Sequence, residues 1–302
     1  MQQVKRAQSA MEYLMTYGWA VLVIAVVLGA LYQLGVFNPN SLSGRAQPGS
    51  CQILRPNGPN TTSLISLQGV CGSQLPQFVA QFNGNGGYIN FGNSILLSPE
   101  AGATGAMTLC MWYSVTSLTG YVGPTLKGQG VPSYGAGWEY TLDQQGTAQG
   151  FTVWKSNGAA VISSYSTGAQ PTVGTWQFSC FTYNYAGGNA YYYLNGVQHS
   201  AAFTGGNGPA TQGTGNFIVG GGENSYSKVM IGNVQMYNAS LSASEISSLY
   251  IEGIGGAPIQ LRNLVGWWPL NGNSQDYSGD LLNGVANSIS FTGSWTNGYS
   301  NH

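Results

Sequence analysis

The chain has 302 residues, 43% of them hydrophobic, 12% aromatic and only 6% charged, with a formal net charge of −1. Its eight Lys and Arg residues are scattered, which excludes the clustered basic surface that nucleic acid requires. Forty-six glycines and short aromatic runs argue against a low-complexity chain and for a folded core with many turns and few long helices.

The first predicted element is a long apolar helix. Residues 13–44 carry no charge, and LMTYGWAVLVIAVVLGALYQLGVF is nearly continuous apolar sequence. A helix from Gln8 to Phe37 would run about 45 Å, against roughly 30 Å for a bilayer's hydrocarbon core. Its apolar residues surround the axis, so an amphipathic role in solution is excluded. An ordinary cleaved secretory signal has a shorter apolar region and a small-residue cleavage site after it. Glu12 stands at the very start of the apolar run, a costly position for a carboxylate that calls for a partner.

Lys5-Arg6-Ala7 followed by Gln8-Ser9-Ala10-Met11-Glu12 resembles the class III signal of archaeal type IV pilin-like proteins, and AMEYLMTYGWA is especially close to that group. The resemblance implies cleavage between Ala7 and Gln8 on the cytoplasmic side, with the apolar helix retained and Glu12 fifth in the mature chain. Lys5 and Arg6 on that side agree with the positive-inside rule. It further implies that Glu12 pairs with a mature amino terminus, its own or a neighbour's, in a filament core where pairing offsets desolvation. A prepilin peptidase, an assembly ATPase and a membrane platform protein are the partners it implies. The alternative is an uncleaved signal anchor with an incidental Glu.

Asn38-Pro39-Asn40 and the Ser/Gly/Pro-rich residues up to about Ser50 read as a helix stop and linker. An even count of four cysteines in an exported chain favours disulfides, with three pairings open. Cys51 and Cys71 bracket a loop rich in Pro, Asn, Ser and Gly, while Cys110 and Cys180 sit in two strand-like runs. The expected bonds are Cys51–Cys71 and Cys110–Cys180, against the alternative of buried free thiols. Asn60-Thr61-Thr62 and Asn238-Ala239-Ser240 are N-glycosylation sequons.

From Gln77 onward, short strands alternate with turns: YINFG, MTLCMWYSV, WEYTLD, GFTVWK, WQFSCFTYNY, AYYYLNG, NFIVGG and VMIGNVQMYN. Such spacing predicts an antiparallel sandwich. One short helix is expected at LSASEISSLY, where Ser242 and Glu245 have the spacing of a capping box. The order FNGNGGYINFGNS, MTLCMWYSV, WQFSCFTYN with YYYLNGVQ, and IGNVQMYNASLSASEISSLY resembles the laminin G-like/concanavalin A-like jelly-roll family. Leu264-Val265-Gly266-Trp267-Trp268-Pro269-Leu270, with Asp276 to Asp280, is similar to the segment that usually opens such a domain, yet here it comes last. Either the domain is circularly permuted and this strand closes its own sandwich, or the strand is donated to a neighbour.

Retaining glycoside hydrolysis needs two carboxylates about 5 Å apart, and no closely alternating acidic motif occurs. Glu139 and Asp143 alone would share a strand face. His199 and His302 have no ligand spacing for a His-based metal site and offer no Ser-hydrolase partner. The expectation is a protein that is not an enzyme. Asn271, Asn273, Asp276 and Asp280 form a candidate calcium set, with Asx-turn chemistry as the alternative. Tyr134, Trp138, Tyr165, Tyr185 and Tyr226 lie near Gly-rich loops, where aromatics stack on sugars or fill a core.

The expected chain is mainly β: a leader at 1–7, a transmembrane and filament-core helix at 8–37, a linker and disulfide-stapled loop at 38–76, and a laminin G-like β-sandwich at 77–302. The resemblances imply a subunit that self-associates into a helical surface filament, membrane-inserted before assembly, with an adhesive lectin-like domain and no cofactor beyond the candidate calcium. The rival is a membrane-anchored glycan receptor that never polymerises.

Overall fold

A computed structural model describes residues 3–33, 51–54, 66–69, 71, 75–118, 124–128, 136–142, 149–166, 170–199, 208–221 and 226–300. The chain divides into two compact units, residues 1–47 and 48–302.

Among the described residues the first unit contains one helix, α1 (Gln3–Gln33). Thirty-one residues at 1.5 Å each give about 46 Å. Among the side chains described, Met15, Tyr17, Trp19, Leu22, Ile24 and Val26 are all more than half exposed, so no face of the helix is buried within its own unit. Among the described residues no helix is long and apolar enough to cross a membrane. The side chains of Ala7, Gln8 and Glu12 lie outside the described residues.

The second unit is a two-sheet sandwich. Its early strands are β1 (Gln52–Leu54), β2 (Ser66–Gln68), β3 (Val79–Asn83), β4 (Tyr88–Asn90), β5 (Ala106–Val115) and β6 (Thr125–Lys127). In the middle run β7 (Gly137–Thr141), β8 (Gln149–Trp154), β9 (Ala160–Ser166), β10 (Gln177–Asn184), β11 (Asn189–Leu194) and β12 (Val197–His199). The last are β13 (Phe217–Val219), β14 (Lys228–Tyr237), β15 (Leu264–Trp268), β16 (Val285–Asn287) and β17 (Ser290–Thr292), with helix α2 (Ala243–Glu252) between β14 and β15. One sheet runs β12-β11-β10-β5-β14-β3-β17, with β15 also on β14, and the other runs β16-β4-β13-β6-β7-β8-β9. Every pairing between named strands is antiparallel.

Strand β5 shows why the sequence reads as an apolar run. Leu109, Met111, Tyr113 and Val115 enter the core between the sheets. Cys110 and Trp112, on the opposite face, join a second cluster with Phe178, Trp267, Trp295 and the α2 residues Ile246 and Leu249. A strand covered on both sides has no polar face to alternate. The second layer is built by α2, started by the Ser242–Glu245 capping box, and by the C-terminal segment.

Cys110 and Cys180 are directly opposed partners on β5 and β10 and are joined in a disulfide. Cys51 bonds to Cys71 and, with Ile53, is buried in the second cluster, while Ile53 N–H donates to the Tyr277 carbonyl at 3.0 Å. The β1–β2 hairpin, stapled by the Cys51–Cys71 bond, therefore lies in the second unit, which begins at Pro48.

The late segment closes its own sandwich. β14 pairs with β3 through residues 228–231 and with β15 through residues 234–237, both on one edge. A bulge separates the two halves, with Asn233 at φ 50°. β16 and β17 then pair with β4 and β3, one in each sheet. A polar bridge spans the core: Tyr140 O–H donates to Gln149 Oε1 at 2.9 Å, Gln149 Nε2 to Tyr113 Oη at 3.2 Å and Ser179 Oγ to Gln149 Oε1 at 3.0 Å.

Candidate functional site

On the seven-stranded sheet, Ile89, Phe217 and Val219 point into the core, so strand alternation turns Tyr88, Asn90 and Ile218 outward. Register sets Ile218 beside Asn90, and Asn90 beside Val285 of β16. Asn287 stands opposite Tyr88. Val285 is 65% exposed.

Tyr226, which bridges to Gly221, carries the largest exposed ring here, at 48%. Its ring stacks on Tyr88, with centroids 6.2 Å apart and planes 23° off parallel. A Cβ at Gly221 would lie 3.4 Å from Tyr226 Cδ1 and 3.6 Å from Ile218 Cγ2. At Gly86, whose φ is +90°, it would lie 4.0 Å from Tyr226 Cε2. The ring therefore stands beside the two glycines and is stacked on Tyr88, giving an aromatic platform with an amide rim.

Of the aromatics expected near loops, Tyr226 alone is described as open. Trp138 is buried in the core against Phe217 and Phe151, and Tyr185 is half-buried against it. Trp138 is thus a core residue, its indole N–H donating to the Leu97 carbonyl at 3.4 Å. Tyr134 and the Tyr165 side chain lie outside the described residues. Tyr88 was missed by sequence reasoning; its place in YIN beside a Gly-rich turn was the available signal, and its face depends on register.

The candidate calcium loop is hydrogen-bonded as a folded turn. Asn271 Oδ1 accepts from Phe78 N–H and Asn273 Oδ1 from Gln275 N–H. The Asp276 carboxylate accepts from the backbone of Trp267, Ser278 and Leu282 and from Ser278 Oγ–H. Burial pushes the Asp276 carboxyl up, with these hydrogen bonds pulling it back. Asp280 donates its backbone N–H to Ser278 Oγ. Among the described residues no group of three His, Cys, Asp or Glu side chains is disposed to hold a metal ion.

Glu139 is buried, and Asp143, Asn60 and His302 lie outside the described residues. His199 is half-buried on β12. Asn238, of the second sequon, is exposed just after β14, its Oδ1 accepting from Asn263 Nδ2 at 3.1 Å.

A separate polar group is sealed inside. Glu100 is fully buried, and neither carboxylate oxygen has a hydrogen-bond partner among the described residues. Desolvation pushes its carboxyl up to about 8, while its own backbone and the nearby Lys127 ammonium oppose the shift. Lys127 Nζ donates to the Gly213 carbonyl at 3.2 Å and to the Gly215 carbonyl.

No curated protein matches the chain. Among solved structures, a SAP-like pentraxin from Limulus polyphemus is 14% identical, with a TM-score of 0.49, over 71% of this chain and 94% of its own. A protein described as carbohydrate-binding from Bacteroides ovatus is 13% identical, with a TM-score of 0.49, over 76% of this chain and 63% of its own, less than two thirds of that protein's length. A sialidase carbohydrate-binding module from Ruminococcus gnavus is 12% identical, with a TM-score of 0.44, over 59% of this chain and 99% of its own. The ligands in those names stay with those proteins. Residues 83–247, more than half of the 302, match the family model for the concanavalin A-like lectin/glucanases superfamily. With the antiparallel sandwich in view, the chain belongs to that superfamily.

Proposed function

We propose that the chain is a non-enzymatic subunit of an archaeal type IV pilus-like surface filament, bearing a lectin-like domain for adhesion. The observation that carries this reading is helix α1, whose described side chains are exposed and apolar on every side. Water does not stabilise such a helix; lipid before assembly and neighbouring helices after it supply what its own unit lacks.

Three features support the rest. The Lys5-Arg6-Ala7-Gln8 junction supplies the processing site and Glu12 the partner for a mature amino terminus. Two disulfides suit an oxidising cell exterior. The superfamily of the sandwich and the pair of half-buried Tyr88 and exposed Tyr226 support a role in gripping glycans outside the cell. A prepilin peptidase, an assembly ATPase and a membrane platform protein belong to the same reading. Asn60 and Asn238 are its glycosylation sites, adding solubility to a surface with few charges.

The test is N-terminal peptide mass spectrometry on the protein purified from its own cells. Chains beginning at Gln8 are expected. Chains beginning at Met1 would remove processing and leave a membrane-anchored receptor that does not polymerise.

A further inference from the structure

Resting on the lectin-like reading of the sandwich, we infer that its ligand site is the Tyr88–Tyr226 platform, completed by Asn287 from the late strand β16, and that it takes an uncharged sugar ring. The platform unites three segments far apart in sequence. β4 supplies Tyr88 and Asn90, the approach to β14 supplies Tyr226, and β16 supplies Asn287.

Tyr226 is held by its stack on Tyr88 and is still 48% exposed. A Cβ at Gly221 or Gly86 would meet its ring at ordinary van der Waals distance, 3.4 and 4.0 Å. A ring ordered yet half-exposed offers a flat apolar surface that the C–H face of a sugar can cover, as aromatic rings do for other flat partners.

The rim supplies hydrogen bonds of the matching kind. Asn90 commits its Oδ1 to Gly92 N–H at 2.9 Å, leaving the amide nitrogen as a donor. Asn287 commits Nδ2 to the Val285 carbonyl at 3.0 Å, leaving the amide oxygen as an acceptor. One donor and one acceptor flanking an aromatic face match hydroxyl groups, each of which both donates and accepts. Strands β4, β13 and β16 carry no charged residue, so nothing on them selects an anionic sugar. Lys228, two residues beyond Tyr226, is on β14 of the other sheet and pairs with Asn83.

The C-terminal segment thereby gains a second role. Besides closing the sheet edge, β16 sets Asn287 opposite Tyr88 and so completes the rim.

The test is binding of the full chain, in detergent micelles, to an array of defined neutral and sialylated oligosaccharides. Wild type, Tyr226→Ala, Tyr226→Phe, Asn287→Ala and Ile251→Ser, a change at an exposed position on α2, are compared, with melting temperatures as folding controls. Neutral members should be bound, with a loss of about tenfold or more for Tyr226→Ala, a few-fold loss for Asn287→Ala and full retention for Tyr226→Phe and Ile251→Ser. Binding of neutral sugars that survives both Tyr226→Ala and Asn287→Ala overturns the site while leaving the lectin-like reading intact. Binding of sialylated members alone overturns the ligand class. No binding by wild type overturns both.

Discussion

Asn233 occupies the left-handed region at the bulge of β14, where asparagine is tolerated better than most residues. Its amide is engaged on both sides: Oδ1 accepts from Trp267 Nε1 at 2.7 Å and Gln235 Nε2 at 3.0 Å, and Nδ2 donates to the Gly256 carbonyl at 2.9 Å. Asn233→Ala strands those buried partners and adds backbone strain, so a loss of about 2–4 kcal/mol is expected in chemical unfolding. Gln149 plays a comparable part between the sheets, and Gln149→Leu leaves the Tyr113, Tyr140 and Ser179 hydroxyls without their shared partner. It should cost about 1–3 kcal/mol by the same measurement. Neither role was legible in the sequence, because both depend on long-range register that no local pattern encodes. Tyr226 is the opposite case: its surroundings of Gly, Asn and Ser marked it as a surface aromatic, and only the stacking on Tyr88 had to come from the fold.

At the scale of elements, the β strands were legible and their neighbours were not. MTLCMWYSV and WQFSCFTYNY became β5 and β10, and LSASEISSLY became α2 with its capping box. The Cys51–Cys71 loop was legible as a stapled loop from its Pro, Asn, Ser and Gly; that Ile53 and Cys51 are buried in the second cluster had to come from the fold. The segment carrying Glu100 contributes to the response to pH. A carboxyl at about 8 in the folded chain and near 4.5 when unfolded means the folded state binds the extra proton between those values. Its stabilising effect is therefore complete below about pH 4.5 and is lost as pH rises towards 8. The expected outcome is a melting temperature that falls from pH 5 to pH 8, and Glu100→Gln should flatten that slope. A Glu100→Gln variant with an unchanged slope would place the dependence elsewhere. Removing the Ser242 hydroxyl, by Ser242→Ala, should cost about 1 kcal/mol, since α2 then loses its cap.

For the whole molecule, the order of segments matters more than their content. LVGWW was recognisable as a sandwich strand, yet only the pairing of β15 with β14 shows that a strand at the end of the chain closes this chain's own sheet. The Cys110–Cys180 bond joins residues 70 apart in the middle of that sheet. Replacing both with Ala should cost about 4 kcal/mol from the unfolded-state loop, seen as a lower melting temperature in non-reducing buffer. The sandwich thus carries its own stability, whereas α1 leaves its apolar side chains without cover inside its unit. The central claim is that these helices cover one another in a filament, with the sandwiches outside. Electron microscopy of filaments sheared from the cells, with mass spectrometry of their content, tests it most directly. The account predicts filaments in which this chain is a stoichiometric subunit beginning at Gln8. Filaments lacking the chain, with the protein recovered from membranes alone, would contradict it.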